Sequence, residues 1–393
     1  MNTQWHERFT AAATQVADAQ VDEAGNIGFD SNIEPNTLAI GPKLADSRPI
    51  LVELSRLAVV DITGEHAAEF FQAQVCNDLD AMGLDQAQIN GYCSLKGRLM
   101  ALFTVFALPA ADGAIVIEGD AAKVSGYRLL LPTDVEPTFT KRLQMFAGLP
   151  LKIDGKAVKA DVTLTHRSDL VCAGFAFDAD AEKKGAELPE SYPTLPESPL
   201  GLSSNDNVQI IRWHDDTGTV ANPDTHTRYI CISSHDALFE LWQNESYSHA
   251  ALPYWRWGDI NAGIPNVFAA SSDQFIPQML NMQLINGLSF KKGCYPGQEI
   301  VARMQYLGKL KKHMKHLHVP GVTVAPEPGT TLTTESNNNA GQIVDAVVDE
   351  HGLNLLAVVN IETPVAELLL DGVTLQEAPI PYSLGKPDVS ADS

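Results

Sequence analysis

The sequence contains no C-x-x-C pair, and its five cysteines (Cys76, Cys93, Cys172, Cys231 and Cys294) are scattered. That spacing excludes a disulfide framework and a zinc site, so each thiol has to be judged by its surroundings. Basic residues are few: 27 Lys and Arg against 49 Asp and Glu give a formal net charge of -22. Such a balance excludes a generally basic nucleic-acid surface, though not a local basic patch. Long hydrophobic runs are missing as well. The most apolar stretch, residues 99–108 (LMALFTVFAL), is ten residues long, whereas a bilayer crossing needs about 20. The first residues, MNTQWHERFTAAATQ, have no basic start followed by an apolar core, unlike a secretory signal. Together these absences imply a cytoplasmic protein with no membrane association and reduced thiols.

What is present is an ordinary globular composition, 45% hydrophobic and 19% charged over 393 residues, enough for two or three domains. Residues 1–48 read as an N-terminal extension, with a helix in the first 20 and a loose Asp/Asn/Gly-rich connection after it. Residues 57–62 (LAVVDI) read as a buried strand, after which Thr63 caps a helix through Val75 with Phe70, Phe71 and Val75 inward. Residues 89–108 read as a β-hairpin turning at Leu95-Lys96-Gly97-Arg98. A short strand over 114–118 and a helix from about Ala121 are expected next. A second strand-then-helix unit has residues 229–232 (YICI) as strand, Ser233 or Ser234 as cap, and Leu238, Leu241 and Trp242 as helical face. Residues 178–199, rich in Glu, Ala and Pro, read as a surface insertion. These units predict an α+β body over residues 49–309 rather than a doubly wound sheet. From Leu310, short alternating stretches broken by Asn337-Asn338-Asn339, His351-Gly352 and Asp371-Gly372 predict an antiparallel β-barrel over 310–384. A disordered tail, 385–393, is expected to follow.

The chemistry concentrates in Lys291-Lys292-Gly293-Cys294-Tyr295-Pro296-Gly297-Gln298-Glu299. Pro296 suits a first helical position, and residues 298–306 have helix-forming composition with Ile300, Val301 and Met304 on one side. Cys294 then precedes a helix N-terminus, where the dipole favours a thiolate. Lys291 and Lys292 add positive charge, with Lys292 expected to favour the ionised thiol. Gly293 and Gly297 allow a tight bend and leave room over the sulfur. The alternative is a cysteine that merely packs in a turn.

The same stretch resembles the YgfZ family of folate-binding, tRNA-modifying proteins. Its K-G-C-[FY]-x-G-Q-[ED] motif is matched by Lys292, Gly293, Cys294, Tyr295, Gly297, Gln298 and Glu299. The flanks Phe275-Ile276-Pro277-Gln278 and Val301-Ala302-Arg303 match, as do Ile62-Thr63-Gly64, Gln72, Gln74, Lys96-Gly97 and Pro381-Tyr382-Ser383-Leu384. The resemblance therefore spans about residues 50–384. It implies the fold of the glycine-cleavage aminomethyltransferase: split ferredoxin-like units and a C-terminal barrel, three domains around a central cavity. It further implies tetrahydrofolate or a derivative as ligand, and support of iron–sulfur cluster assembly or repair. Through an iron–sulfur methylthiolating enzyme it implies tRNA modification. Iron–sulfur assembly proteins or clients become the expected partners, with an indirect link to tRNA. By resemblance, Cys294 and Lys292 carry the chemistry, while Gly293, Tyr295, Gly297, Gln298, Glu299 and Arg303 shape the loop. Trp255, Asn261, Gly263, Phe275 and Leu57 fall at the folate site, and no metal site is expected.

Departures from the relatives narrow the chemistry. The transferase places an acidic pair on the strand after its glycine turn, where this chain has Met100-Ala101-Leu102. No carboxylate is available there to move a proton. The E-A-G segment that grips the pterin reads Asn261-Ala262-Gly263, and an amide lacks the charge-assisted contact. Leu57 replaces a tryptophan found in some relatives, and Ser94 replaces an acid. Two other functions stand as alternatives: a folate-dependent aminomethyltransferase, and a non-catalytic tRNA-binding module using the seven Lys or Arg residues between positions 291 and 315. His316 and His318 share a strand face but lack further metal ligands.

Overall fold

The computed structural model describes residues 49–109, 124–153, 155–178, 188–216, 226–244 and 246–384. It also describes two short antiparallel pairs, Gln20–Val21 with Ile27–Gly28 and Ile117–Glu118 with Ala121–Ala122. The helix expected in the first 20 residues, most of the 114–118 strand, residues 179–187 of the insertion and the 385–393 tail lie outside the described residues.

The apolar 99–108 run becomes the strand Leu99–Pro109. Leu99, Leu102 and Phe106 join one buried cluster, and Ala101, Phe103, Val105 and Ala107 join another. A strand covered on both faces needs such an unbroken apolar run. Among the described residues no helix is long and apolar enough to cross a membrane. The strand belongs to an antiparallel sheet ordered Thr163–His166, Leu57–Thr63, Val124–Pro132, Leu99–Pro109, Ala87–Cys93. Its middle strand corrects the helix expected from Ala121. Tyr127, Leu129 and Leu131 enter one core and Leu130 the other, and a doubly buried run carries no period that separates helix from strand. The helix Glu136–Ala147 comes later. The helix after Leu57–Thr63 is shorter than its pattern predicted, Ala67–Gln72 with His66 at its N-cap, yet Phe70, Phe71 and Val75 are all buried.

A second sheet is ordered Leu202–Ser204, Val208–Arg212, His226–Ser234, Leu170–Asp178, Ile50–Glu53, Ser248–Ala250, with only the last pair parallel. Ser234 caps the helix His235–Trp242 by accepting the Ala237 N–H, and that helix buries Leu238, Leu241 and Trp242. The described part of the insertion packs on this core through Leu188, Tyr192 and Leu195.

The third sheet is antiparallel and ordered Thr331–Leu332, Gly341–Asp349, Gly352–Asn360, Lys312–Pro320, Gln376–Ala378. It curls into a half-barrel, in keeping with the antiparallel barrel expected at the C-terminus; among the described residues its two edge strands do not pair. A register shift between Ile343 and Asp345 interrupts one ladder, and Asp345 beside it is buried. Bulges of this kind commonly re-aim a side chain.

The helix Leu252–Asn261 ties these layers together. All ten of its residues are buried, as expected of a helix enclosed on every side. Its Arg256 donates through Nε to Asp345 Oδ1 at 3.1 Å and through Nη2 to the same oxygen. Trp257 Nε1 donates to Asp349 at 3.3 Å.

Candidate functional site

One face of the Leu252–Asn261 helix carries Trp255 and Asp259, four residues apart and therefore stacked on one side. Gly174 lets the strand Leu170–Asp178 approach the indole: a Cβ there would stand 2.3 Å from Trp255 Cε3. The Arg228 guanidinium lies 4.8 Å from the centre of the Trp255 ring. Arg228 Nε donates to the His214 carbonyl at 2.9 Å, and its Nη1 to Asp259 Oδ1 at 2.9 Å. Trp213 Nε1 donates to the same oxygen at 2.8 Å. Burial raises the Asp259 carboxyl above the ordinary range, and the Arg228 charge pulls it part of the way back.

Trp213, Trp255 and Asp259 border a solvent-open cavity whose lining also includes Leu57, Leu102, Arg56 and Arg256. Its mostly apolar wall suits a small organic molecule. Trp255 and Leu57 are thus placed on the wall. Asn261, Gly263 and Phe275 are not among its lining residues. Asn261 is two positions beyond Asp259, roughly 200° further around the helix, and so lies away from the cavity side. Gly263, at φ +66, is packed against Tyr382, whose hydroxyl donates to the Gly263 carbonyl at 2.7 Å. Phe275 is buried, and its carbonyl accepts the Leu99 N–H at 2.7 Å. Leu102 lies on the cavity wall. The carboxylate that does reach the cavity, Asp259, comes from the helix, and sequence reasoning missed it together with Arg228 and Trp213. A single acid inside WRWGDIN was the available signal, because a buried Asp needs a partner.

The Cys294 loop is built differently from its sequence reading. Lys292 is buried, and its Nζ donates to the carbonyls of Gln72 (2.5 Å), Val75 (2.6 Å) and Asn77 (3.2 Å). Burial holds its ammonium below the ordinary lysine range, at about 8, although the nearby Cys76, Asp78 and Asp80 oppose that shift. Lys292 is therefore a tie between the loop and the 72–77 turn, not a free charge offered to the thiol. Cys294 is exposed, while Cys76, Cys93, Cys172 and Cys231 are buried. The motif helix runs Gln298–Tyr306 with Gly297 at its N-cap, so Cys294 stands outside the turn where a helix dipole acts strongly. Gly297 has φ +80, and a Cβ on it would stand 2.3 Å from the Ser94 carbonyl. Only glycine lets this loop dock on the 94–98 hairpin turn. Ser94 donates to Asp273 at 2.6 Å, and Gln278 Nε2 donates to the Val301 carbonyl at 2.7 Å. Tyr295 is buried, Gln298 is half-buried, and Gly293, Glu299 and Arg303 are exposed.

Exposed apolar and basic side chains occur on the 94–98 turn, on the motif loop and on its helix and the segment after it. Leu95 is 77% exposed, Ile300 40% and Leu307 84%, and Lys96, Lys291, Lys309 and Lys311 are exposed as well. The basic stretch is not continuous, since Lys292 is buried and Lys315 pairs with Glu377 at 3.0 Å. His316 is buried, with Nδ1 2.8 Å from the Pro379 carbonyl, and burial lowers its imidazole to about 4. Among the described residues no cluster of three His, Cys, Asp or Glu side chains is placed to hold a metal.

No protein-family model matches the chain. It is 28% identical over 342 residues to the tRNA-modifying protein YgfZ of Enterobacter sp. (strain 638), covering 85% of this chain and 93% of that protein. The tRNA-modifying protein YgfZ of Vibrio vulnificus (strain CMCP6) is 26% identical over 339 residues, covering 84% and 91%. Among solved structures, the glycine cleavage system aminomethyltransferase T from Bartonella henselae aligns with a TM-score of 0.56 at 12% identity, over 84% of this chain and 85% of that one. Over about 85% of its length the chain is a homologue of the tRNA-modifying proteins YgfZ, and it has a mixed α+β fold like that of aminomethyltransferase T.

Proposed function

We propose that this protein binds a reduced folate in the cavity beside Trp255 and supports tRNA modification, with Cys294 as its working thiol. The observation that carries the ligand part is the cavity itself: an apolar wall with one aromatic side, one buried acid, and the cations Arg56 and Arg256 among its lining residues. A flat pterin suits the aromatic wall, and the carboxylates of a glutamate tail suit Arg56. The tRNA part comes from the name carried by its relatives.

Cys294 acts toward a partner rather than into the cavity. It is exposed and is absent from the cavity lining. The exposed Leu95 on the turn that the loop docks on, and Ile300 and Leu307 on and after the motif helix, fit a protein surface better than an RNA backbone, because aliphatic side chains gain nothing from phosphates. An iron–sulfur assembly protein or client is the partner we assign, and the cluster or its sulfur is the cargo that the thiolate meets. Aminomethyl transfer is disfavoured by Leu102 on the wall where that reaction needs a carboxylate.

The test is complementation of a bacterial strain lacking its own YgfZ, read as the methylthiolated fraction of its tRNA. Wild type should restore it, and Cys294→Ala should restore little. Full rescue by Cys294→Ala removes the thiol from the function.

A further inference from the structure

Among the described residues lining the cavity, Asp259 is the only acid. Its side chain is 8% exposed. Both hydrogen bonds it accepts, from Trp213 Nε1 at 2.8 Å and Arg228 Nη1 at 2.9 Å, fall on Oδ1. Oδ2 accepts none from the described residues. A carboxylate has about four acceptor positions, so Oδ2 of this cavity-lining side chain can accept a further donor. Leu54, Ile230 and Leu252 on the same lining are apolar. A ligand in the cavity can supply that donor.

Arg228 sharpens what kind of donor this is. Its guanidinium already pairs with the carboxylate in the buried site, so the pair is close to neutral and does not need a second cation. A neutral N–H edge on a flat ring is sufficient. Trp255, one helical turn away on the same side of the helix, limits how such a ring can lie.

We propose that Asp259 is the specificity-determining residue of this cavity, selecting ligands whose planar ring presents an amino or ring N–H edge, of the 2-aminopyrimidinone type, to Oδ2. This assignment rests on the folate reading and moves recognition of the ring edge from Asn261, which is not on the cavity wall, to a residue with no assigned role.

The experiment is calorimetric titration of the full chain with 5-formyltetrahydrofolate and with its 2-desamino-2-methyl analogue. Loss of a hydrogen bond to a buried carboxylate should weaken the analogue about 10- to 100-fold. Asp259→Asn should weaken the parent compound by a similar factor and narrow its advantage over the analogue. A thermal unfolding midpoint for Asp259→Asn that matches wild type guards against a general loss of folding. Equal affinity for the two compounds on wild type overturns the role of Asp259 and leaves folate binding intact. Failure of both compounds to bind removes the folate reading and this assignment with it.

Discussion

Lys292 and Cys294 are two residues apart, and the fold treats them in opposite ways: Lys292 is 6% exposed with its Nζ among backbone carbonyls, and Cys294 is exposed at the surface. The loop is thus held from beneath by the lysine while its thiol faces outward. Stability and reactivity are separable at these two positions.

Alkylation should report that separation. Under native conditions iodoacetamide should add once, at Cys294, and the Cys294→Ser variant should take up none. The other four thiols are buried, and burial pushes Cys172 well up and Cys231 to about 12. They should react only after unfolding. A second rapid adduct, located by peptide mass mapping, contradicts the burial of that thiol.

Lys292→Met should destabilise the protein by about 2–4 kcal/mol, because three carbonyls lose a charged donor in a buried place, yet change the alkylation rate of Cys294 little. The pH dependence has a definite sign. The folded lysine releases its proton near 8, whereas the unfolded one does so near 10.5. Between those values the unfolded chain holds more protons, so Lys292's contribution to stability rises with pH, by up to about 1.4 kcal/mol per unit. Denaturant curves of wild type and Lys292→Met at pH 7, 9 and 10 (settings chosen to bracket that window) should show the gap widening. A constant gap means that the ammonium is not desolvated.

Arg256 and Asp345 join the central helix to the C-terminal sheet through a buried ion pair. Asp345→Ala leaves a guanidinium alone in the core and should cost about 3–5 kcal/mol in chemical denaturation. The double change Arg256→Met with Asp345→Leu should recover much of that loss. If Asp345→Ala changes stability by under about 1 kcal/mol, the pair behaves as a solvent-exposed one.

Much of this architecture is legible in the chain. The hairpin turn at Gly97, the Ser234 cap, the Gln298–Tyr306 helix and the C-terminal strands all follow local rules of turn chemistry and period. Val124–Pro132 was not legible, because a strand buried on both faces has no alternation to detect. The site was harder still. Trp255 and Leu57, named through resemblance, lie on the cavity wall, but which turn of a wholly buried helix faces a cavity depends on tertiary packing. Sequence therefore favoured Asn261 over Asp259. Adjacency along the chain suggested Lys292 as a charge beside the thiol, whereas a contact made 220 residues away in sequence, with Gln72, decides where its ammonium goes.

The most direct test of the central claim is calorimetric titration of wild type, Trp255→Ala and Cys294→Ser with 5-formyltetrahydrofolate. Wild type should bind one equivalent, Trp255→Ala should lose about tenfold or more, and Cys294→Ser should bind as wild type does. Absence of binding by wild type, or a loss in Cys294→Ser as large as that in Trp255→Ala, contradicts a folate cavity walled by Trp255 with the thiol outside it.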